Sequence, residues 1–507
     1  MASKNRILSG LIAAGASMTA AHAQFGRGGA DWMTAGSDAQ RSSWIRTDAK
    51  ISIENLRKPG FDFLWTVSVD SGAKQAFDAP MLLNSYIGYR GFRSLAFAGT
   101  TGDKVVGIDT DLGRVEWRQQ LPASASTCAG AMTALTRPTS AAFPGQAMGF
   151  GGGGGRRGGP AKSGVGEAYE GAVTLRESAA LAAAAQPGGG RGGPGRGPGG
   201  PGRGPGGGGG GGRTAMVLKV TSRDGMLHSI YVSNGEPSQP PVRFAPANAN
   251  LSGLIVVDNV AYAAAGPSCD AAPDQVLALD LESKQVSNFK LDSGTIAGAE
   301  GFALGPDGAV YLSNTAGDLV ALEPKTLKPR GVYKAGQPLA TAPVIFQHGE
   351  QAWIAAAAKD GSIHLVDAAK MDTALAKSSP SNMQVNRLAT WQDAAGTRWL
   401  LGSTANSVTA WKVTDRGGAS SFAIGWTSRD LASPIAPVIV NGVVLTASTG
   451  ASPVLYALDG ATGNPLWNSG NKIASAIRGG SISVGNSQVY LGSNNGTLYV
   501  FGFPMEH

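Results

Sequence analysis

The stretch Val454–Phe503 reads VLYALDGATGNPLWNSGNKIASAIRGGSISVGNSQVYLGSNNGTLYVFGF. Three runs in it alternate apolar and polar residues: Val454–Leu458, Gln488–Gly492 and Thr497–Phe501. Turn residues separate them, at Gly460, Thr462-Gly463, Gly485-Asn486 and Asn494-Asn495-Gly496. Short alternation predicts half-buried strands, and Asn-Gly between two such runs predicts a hairpin. The unit is strand, turn, strand, turn, strand. Within it Asp459, Gly463 and Trp467 are spaced by four residues each. Gly463 suits the positive φ of a tight turn. Trp467 falls on the next strand, where an indole wedges between sheets.

The unit recurs. Val105–Trp117 (VVGIDTDLGRVEW) places Asp109, Gly113 and Trp117 at the same spacing. Weaker copies are Val276–Phe289, Leu319–Tyr333, Ile363–Leu375 and Val408–Trp426. With Asp280, Glu323, Asp367, Trp411, Asp459 and Phe501 taken as equivalent, the steps are 43, 44, 44, 48 and 42 residues. A period of about 40–45 residues with four strands per unit predicts a β-propeller. Blades fall near 80–121, 130–245, 251–291, 298–335, 341–377, 386–428 and 434–470. The eighth joins 477–503 to the lone strand Phe61–Val69, so that N- and C-terminal strands close the ring and remove an open edge.

The repeat resembles that of pyrroloquinoline quinone (PQQ) dehydrogenase propellers and their non-enzymatic relatives. The resemblance covers most of residues 30–503 and is strongest at Val105–Trp117 and Val454–Phe503. It extends to Trp32, Gly36 to Asp38, Arg41-Ser42 and Asn55-Leu56, which match the start of quinoprotein propellers. It implies an all-β eight-bladed propeller and, in the catalytic members, a funnel holding PQQ, Ca²⁺, an Asp base and a disulfide of two adjacent cysteines. Here that place reads Thr127-Cys128-Ala129, then Arg137, so the adjacent pair cannot form. On inner strands or loops the candidate funnel residues are Asn248, Asn250, Glu300 and Arg387, alongside Cys128 and Arg137. Each has an ordinary reading too: Asn248 and Asn250 as turn residues, Arg387 as a blade-to-blade bridge. Asp109, Asp280 and Asp459 belong to repeat turns, and Trp65, Trp117, Trp426 and Trp467 are read as blade-packing residues. His228, His348 and His364 stand apart in the sequence, with no Ser–His–Asp grouping in view.

Residues 1–23 carry Lys4 and Arg6, an apolar run from Ile7, and Ala21-His22-Ala23. That pattern predicts a cleaved signal peptide and a periplasmic or secreted protein. No stretch is apolar enough to span a bilayer. No cysteine follows the apolar run, which disfavours the lipid-anchored propeller subunit of the outer-membrane assembly machine. The net charge of +7 divides into +2 from the signal and +5 from residues 149–213, so the rest is neutral. A neutral propeller argues against nucleic acid as partner. Residues 24–60 form an N-terminal extension. Gly149–Arg213, rich in Gly, Arg and Pro, interrupts blade 2; it has little to bury and is expected to stay disordered. Cys128 and Cys269 lie in loops on one face, in an oxidising compartment; they are read as a disulfide, with two free thiols as the other reading.

Two functions follow as expectations. One is an exported, monomeric, non-catalytic binding or scaffold module with a protein or cell-envelope partner. The other is a PQQ-dependent alcohol or sugar dehydrogenase with an altered site, using PQQ and Ca²⁺.

Overall fold

The computed structural model describes residues 31–68, 79–88, 90–100, 102–122, 135–136, 138–139, 141–143, 216–247, 249–266, 274–381, 385, 387–416 and 419–504. These form eight pleated sheets arranged as an eight-bladed propeller, each blade of four strands, with Pro138–Thr139 added as a fifth to blade 3 and Trp44–Ile45 to blade 7. Residues 1–30, among them the segment read as a signal peptide, and Cys128, Arg137, Asn248, Cys269 and the Gly-rich segment lie outside the described residues.

Each blade comes from local alternation. In blade 7, Leu455–Asp459 buries nearly every residue, whereas Pro465–Asn468 is half-exposed. Inner strands are sandwiched between neighbouring blades, while outer strands face water on one side. The repeat Asp builds the turn between them. Asp459 accepts from the N–H groups of Ala461 and Thr462, and Asp109 and Asp280 do the same in blades 1 and 3. Strand register refines two repeat positions. Ala457 faces Trp467, Ala410 faces Trp426, and Val500 faces Trp65. The counterparts of Asp459 are therefore Lys412 and Gly502, one residue beyond Trp411 and Phe501.

Blade 8 combines Ile477–Gly485, Gln488–Ser493 and Thr497–Gly502 with Asp62–Ser68 from the N-terminal side. Its pairing runs from Asp62↔Gly502 to Ser68↔Thr497. Blade 2 is also assembled from distant pieces. Its innermost strand, Leu135–Thr136, pairs with Val217–Thr221 beyond the Gly-rich segment.

The N-terminal extension runs once around the channel, touching the blades in order. Trp32 bridges Leu82 of blade 1, Met33 O accepts from Thr136 Oγ1 of blade 2 (3.1 Å), and Thr34 Oγ1 donates to Leu254 O of blade 3 (2.9 Å). The backbone N–H groups of Leu304, Ile345, Thr390 and Ile439, in blades 4 to 7, donate to Ala39, Gln40, Ser42 and Ser43 at 2.8–3.0 Å. Asp48 takes Ser487 N and Oγ of blade 8, both at 2.8 Å. Inner strands are sheet edges, and their channel-facing N–H groups need partners. The belt supplies them. It does so in a bent conformation: Ser37, Arg41 and Ser43 all have positive φ, which persists only where many contacts fix it.

Candidate functional site

In every blade the chain crosses over from the previous blade into the start of the inner strand. Glu300 lies two residues before Phe302–Leu304 of blade 4, and Arg387 lies one before Leu388–Gln392 of blade 6. Both therefore stand at the crossover mouth of the channel. Arg387 reaches Glu300 through a direct ion pair, although the side chains come from non-adjacent blades. Two residues singled out separately in the sequence thus meet.

Arg41 of the belt lies beneath them, buried. Its Nε donates to Phe302 O (2.9 Å), Nη2 to Gly253 O (2.7 Å), and Nη1 to Thr34 Oγ1 (2.8 Å) and Ala35 O (2.6 Å). Burial lowers its pKa to about 10; Glu300 and Asp38 oppose that shift and Arg387 adds to it. It remains a cation at neutral pH. Gly253 makes the approach possible: its φ is +64°, and a Cβ there would stand 2.1 Å from Glu300 O. Asn250 begins the inner strand Asn250–Val257 of blade 3 and is exposed, so it is a strand residue rather than a turn residue.

A calcium ion takes six to eight oxygens, carboxylates among them. Here the Glu300 carboxylate is already matched by one guanidinium and lies in the field of a second. The carbonyls of Gly253 and Phe302, which could ligate a cation, accept from Arg41 instead. Among the described residues no group of three His, Cys, Asp or Glu side chains could hold a metal ion. The donors present at this mouth do not fit Ca²⁺.

Histidines are not isolated, as the sequence suggested. The motif Asp-Gly-x-[Leu/Ile]-His occurs twice, at Asp224–His228 and Asp360–His364. In blade 2, Ser222 Oγ bonds both Asp224 and His228 Nε2, the latter at 2.8 Å. In blade 5, His364 Nδ1 bonds Tyr333 Oη of blade 4 (2.8 Å), His364 Nε2 bonds Ser362 Oγ (3.2 Å), and Ser362 Oγ donates to Asp360 (2.5 Å). These are Ser–His–Asp groupings, but in the wrong order for a nucleophile. The serine proton goes to the carboxylate, so the imidazole is a donor to serine and not its base. Burial lowers both imidazoles, His364 to about 4 with Lys377 adding to the effect. Both histidines are neutral polar links in blade cores. The signal was there to read: the spacing is local and repeated.

The tryptophans form a separate system, on the rim. Trp117 of blade 1 lies on Gly235 of blade 2, Trp426 of blade 6 on Gly463 of blade 7, and Trp65 of blade 8 on Gly113 of blade 1. A Cβ on any of these glycines would stand 2.4–2.8 Å from the ring. The indole N–H of Trp117 donates to Val232 O (3.0 Å) and that of Trp426 to Gly460 O (2.8 Å). Trp467 instead meets Phe61 edge-on, with centroids 4.8 Å apart. Blade 8 has no turn glycine for it, because its outer strand arrives from elsewhere in the chain.

No family model matches the chain, and no curated protein matches it. Solved structures do. A europium-containing methanol dehydrogenase is similar at 11% identity and a TM-score of 0.56, over 94% of this chain and 99% of that one. A quinohemoprotein alcohol dehydrogenase from Comamonas testosteroni gives 11% and 0.53, over 94% and 81%. BamB from Moraxella catarrhalis gives 12% and 0.48, over 88% and 99%. At these identities the likeness is one of fold. The chain is an eight-bladed propeller of quinoprotein-like architecture, and fold alone does not fix chemistry. Among the described residues, no helix is long and apolar enough to cross a membrane.

Proposed function

We propose that this protein is an exported, non-catalytic binding or scaffold module with a protein or cell-envelope partner. The reading is carried by the crossover mouth. Its buried carboxylate, Glu300, is committed to Arg387 and Arg41. Among the described residues at this mouth, no other carboxylate stands beside it to take a proton from an alcohol. The belt, which lines the channel through all eight blades, supports the same reading. Export and monomeric state enter as parts of this proposal, from the reading of residues 1–23 and from ring closure within one chain.

The alternative is a PQQ-dependent dehydrogenase with an altered site. One observation favours it: two guanidiniums face one carboxylate, and the surplus positive charge would suit an acidic quinone. PQQ itself would supply the hydride-accepting chemistry; Arg387, partly exposed at the mouth, would orient it.

Adding PQQ and Ca²⁺ to the purified protein separates the two. The expected result is no quinone absorbance after gel filtration and no dye reduction by alcohols. A retained band with alcohol-dependent dye reduction would establish the dehydrogenase.

A further inference from the structure

Arg41 and Arg398 are both buried cations, at 2% and 7% exposure, and burial lowers the pKa of each to about 10. Their surroundings differ. Arg41 donates from Nε, Nη1 and Nη2 to four acceptors, and the carboxylates of Glu300 and Asp38 bear on it. Arg398 uses only Nη2, which donates to Gln347 O (3.0 Å) and, at 3.5 Å, to Gln392 Oε1. Its Nε is enclosed and bonds nothing, whereas Nη1 is not enclosed and donates to none of the described residues. Among the described residues no carboxylate pairs with Arg398; the charge that bears on it is that of a second cation, Arg46. Asp393, on the same hairpin, is engaged elsewhere. It accepts from the Trp399 indole (2.8 Å) and from the N–H groups of Ala395 and Thr397.

Arg398 opens the second strand of blade 6 opposite Gln392, the last residue of the inner strand. It therefore stands at the hairpin mouth of the channel, at the other end from Glu300 and Arg387. Its guanidinium carbon lies 5.1 Å from the ring of Phe346 in blade 5 and 5.7 Å from the half-buried ring of Trp44 in the belt. Arg46 covers Trp44 as well, at 4.3 Å. Ring faces offset part of a cation's charge but are weak acceptors for its N–H groups. Arg46 is 30% exposed and 3.8 Å from Asp38. Two guanidiniums and one carboxylate leave a surplus of one positive charge. A buried cation with unused donors is costly, and an anion that supplies the acceptor lowers that cost.

We propose that the hairpin mouth is an anion site, where Arg398 and Arg46 converge on Trp44 to hold a carboxylate that accepts from Arg398 Nη1. The planar fork of a guanidinium matches the two oxygens of a carboxylate. The single surplus charge favours a carboxylate over a doubly charged phosphate. The carboxylate belongs to a small organic acid or to an acidic side chain of a polypeptide. The site is remote from Glu300, and its failure leaves the reading of the crossover mouth untouched.

The test uses the full chain with ¹⁵N-labelled arginine in low-chloride buffer. The enclosed Nε–H of Arg398 gives the signal, assigned by its loss in Arg398→Lys or, if that protein does not fold, by its displacement in Arg46→Gln. Propionate should move the signal saturably, and so should a short glycine peptide carrying one glutamate. Propionamide, and the same peptide with glutamine, should leave it in place. Arg46→Gln should weaken propionate binding about threefold, the worth of one partly exposed charge. Tighter binding of the peptide than of propionate assigns the carboxylate to a polypeptide; the reverse assigns it to a small acid, and either ranking upholds the site. An Arg398 signal unmoved by both acids, an equal response to the amides, or unchanged affinity in Arg46→Gln would overturn it.

Discussion

Blades 8 and 2 are both stitched from distant parts of the chain, yet they are held by different means. Blade 8 receives its outermost strand from Asp62–Ser68, which pairs along its whole length with Thr497–Gly502. Aromatic contacts fasten it: Phe63 on Phe501, Trp65 on Tyr490, and Phe61 against Trp467 and Phe503. Blade 2 is divided at its innermost strand, where Leu135–Thr136 offers two paired positions. A neighbouring piece, Pro138–Thr139, pairs with blade 3 instead. Thr136 is then tied to the belt through Met33 O. The contrast teaches that an outer closing strand bears the ring's integrity. An inner strand can be brief because the belt shares its work.

The largest effect should come from removing the closing strand. Truncation through Asp70 takes away both strand and belt, and should abolish cooperative unfolding and expose a sheet edge that aggregates. Calorimetry and gel filtration check this; a monomer of unchanged stability would refute the closure argument. Next comes the rim. Trp65→Ala, which vacates the dock on Gly113, should cost about 3 kcal/mol in urea unfolding. Gln239→Ala, at the matching exposed position of blade 2, should cost less than about 0.5 kcal/mol.

The third effect is on pH. Blade 2 places Asp224 and His228 where blade 8 has Asn495 and Tyr499, so acid sensitivity belongs to blades 2 and 5. The folded pKa of His364, about 4, lies below its unfolded value of about 6.5. The unfolded chain then binds the proton more readily. Stability is fully present above about pH 6.5 and is lost as pH falls toward 4, by on the order of 3 kcal/mol for His364. His364→Phe should flatten that slope in denaturation midpoints measured from pH 7 to 4; an unchanged slope would remove His364 as its source. The smallest effect concerns the interruption itself. Replacing most of Gly149–Arg213 with a short linker should leave Tm within a few degrees, since blade 2 is paired on either side of it. A collapse of folding would show that the segment packs.

The ring was legible because its unit repeats: Asp459, Gly463 and Trp467 have a twin in Asp109, Gly113 and Trp117. Closure was legible from one unpartnered strand. The belt was not, because residues 31–51 have no period; they bond the blades in succession, with no repeated partner pattern. Glu300 and Arg387 could be marked one by one, but their meeting depends on two crossovers arriving at one mouth. The histidine groupings were missed for a different reason. Their serine and aspartate partners lie two to six residues away, within a segment whose histidines were read one at a time, and Tyr333 comes from the neighbouring blade.

The belt also sets an order of events. Asp48 bonds Ser487, which is 439 residues further along the chain. A chain synthesised from its N-terminus produces the belt first and its last partner almost at the end. Contacts of such separation slow folding and leave early segments waiting unpaired. The belt residues are therefore among the last to find their place, and the blades must be largely assembled before the segment that joins them can be laid down.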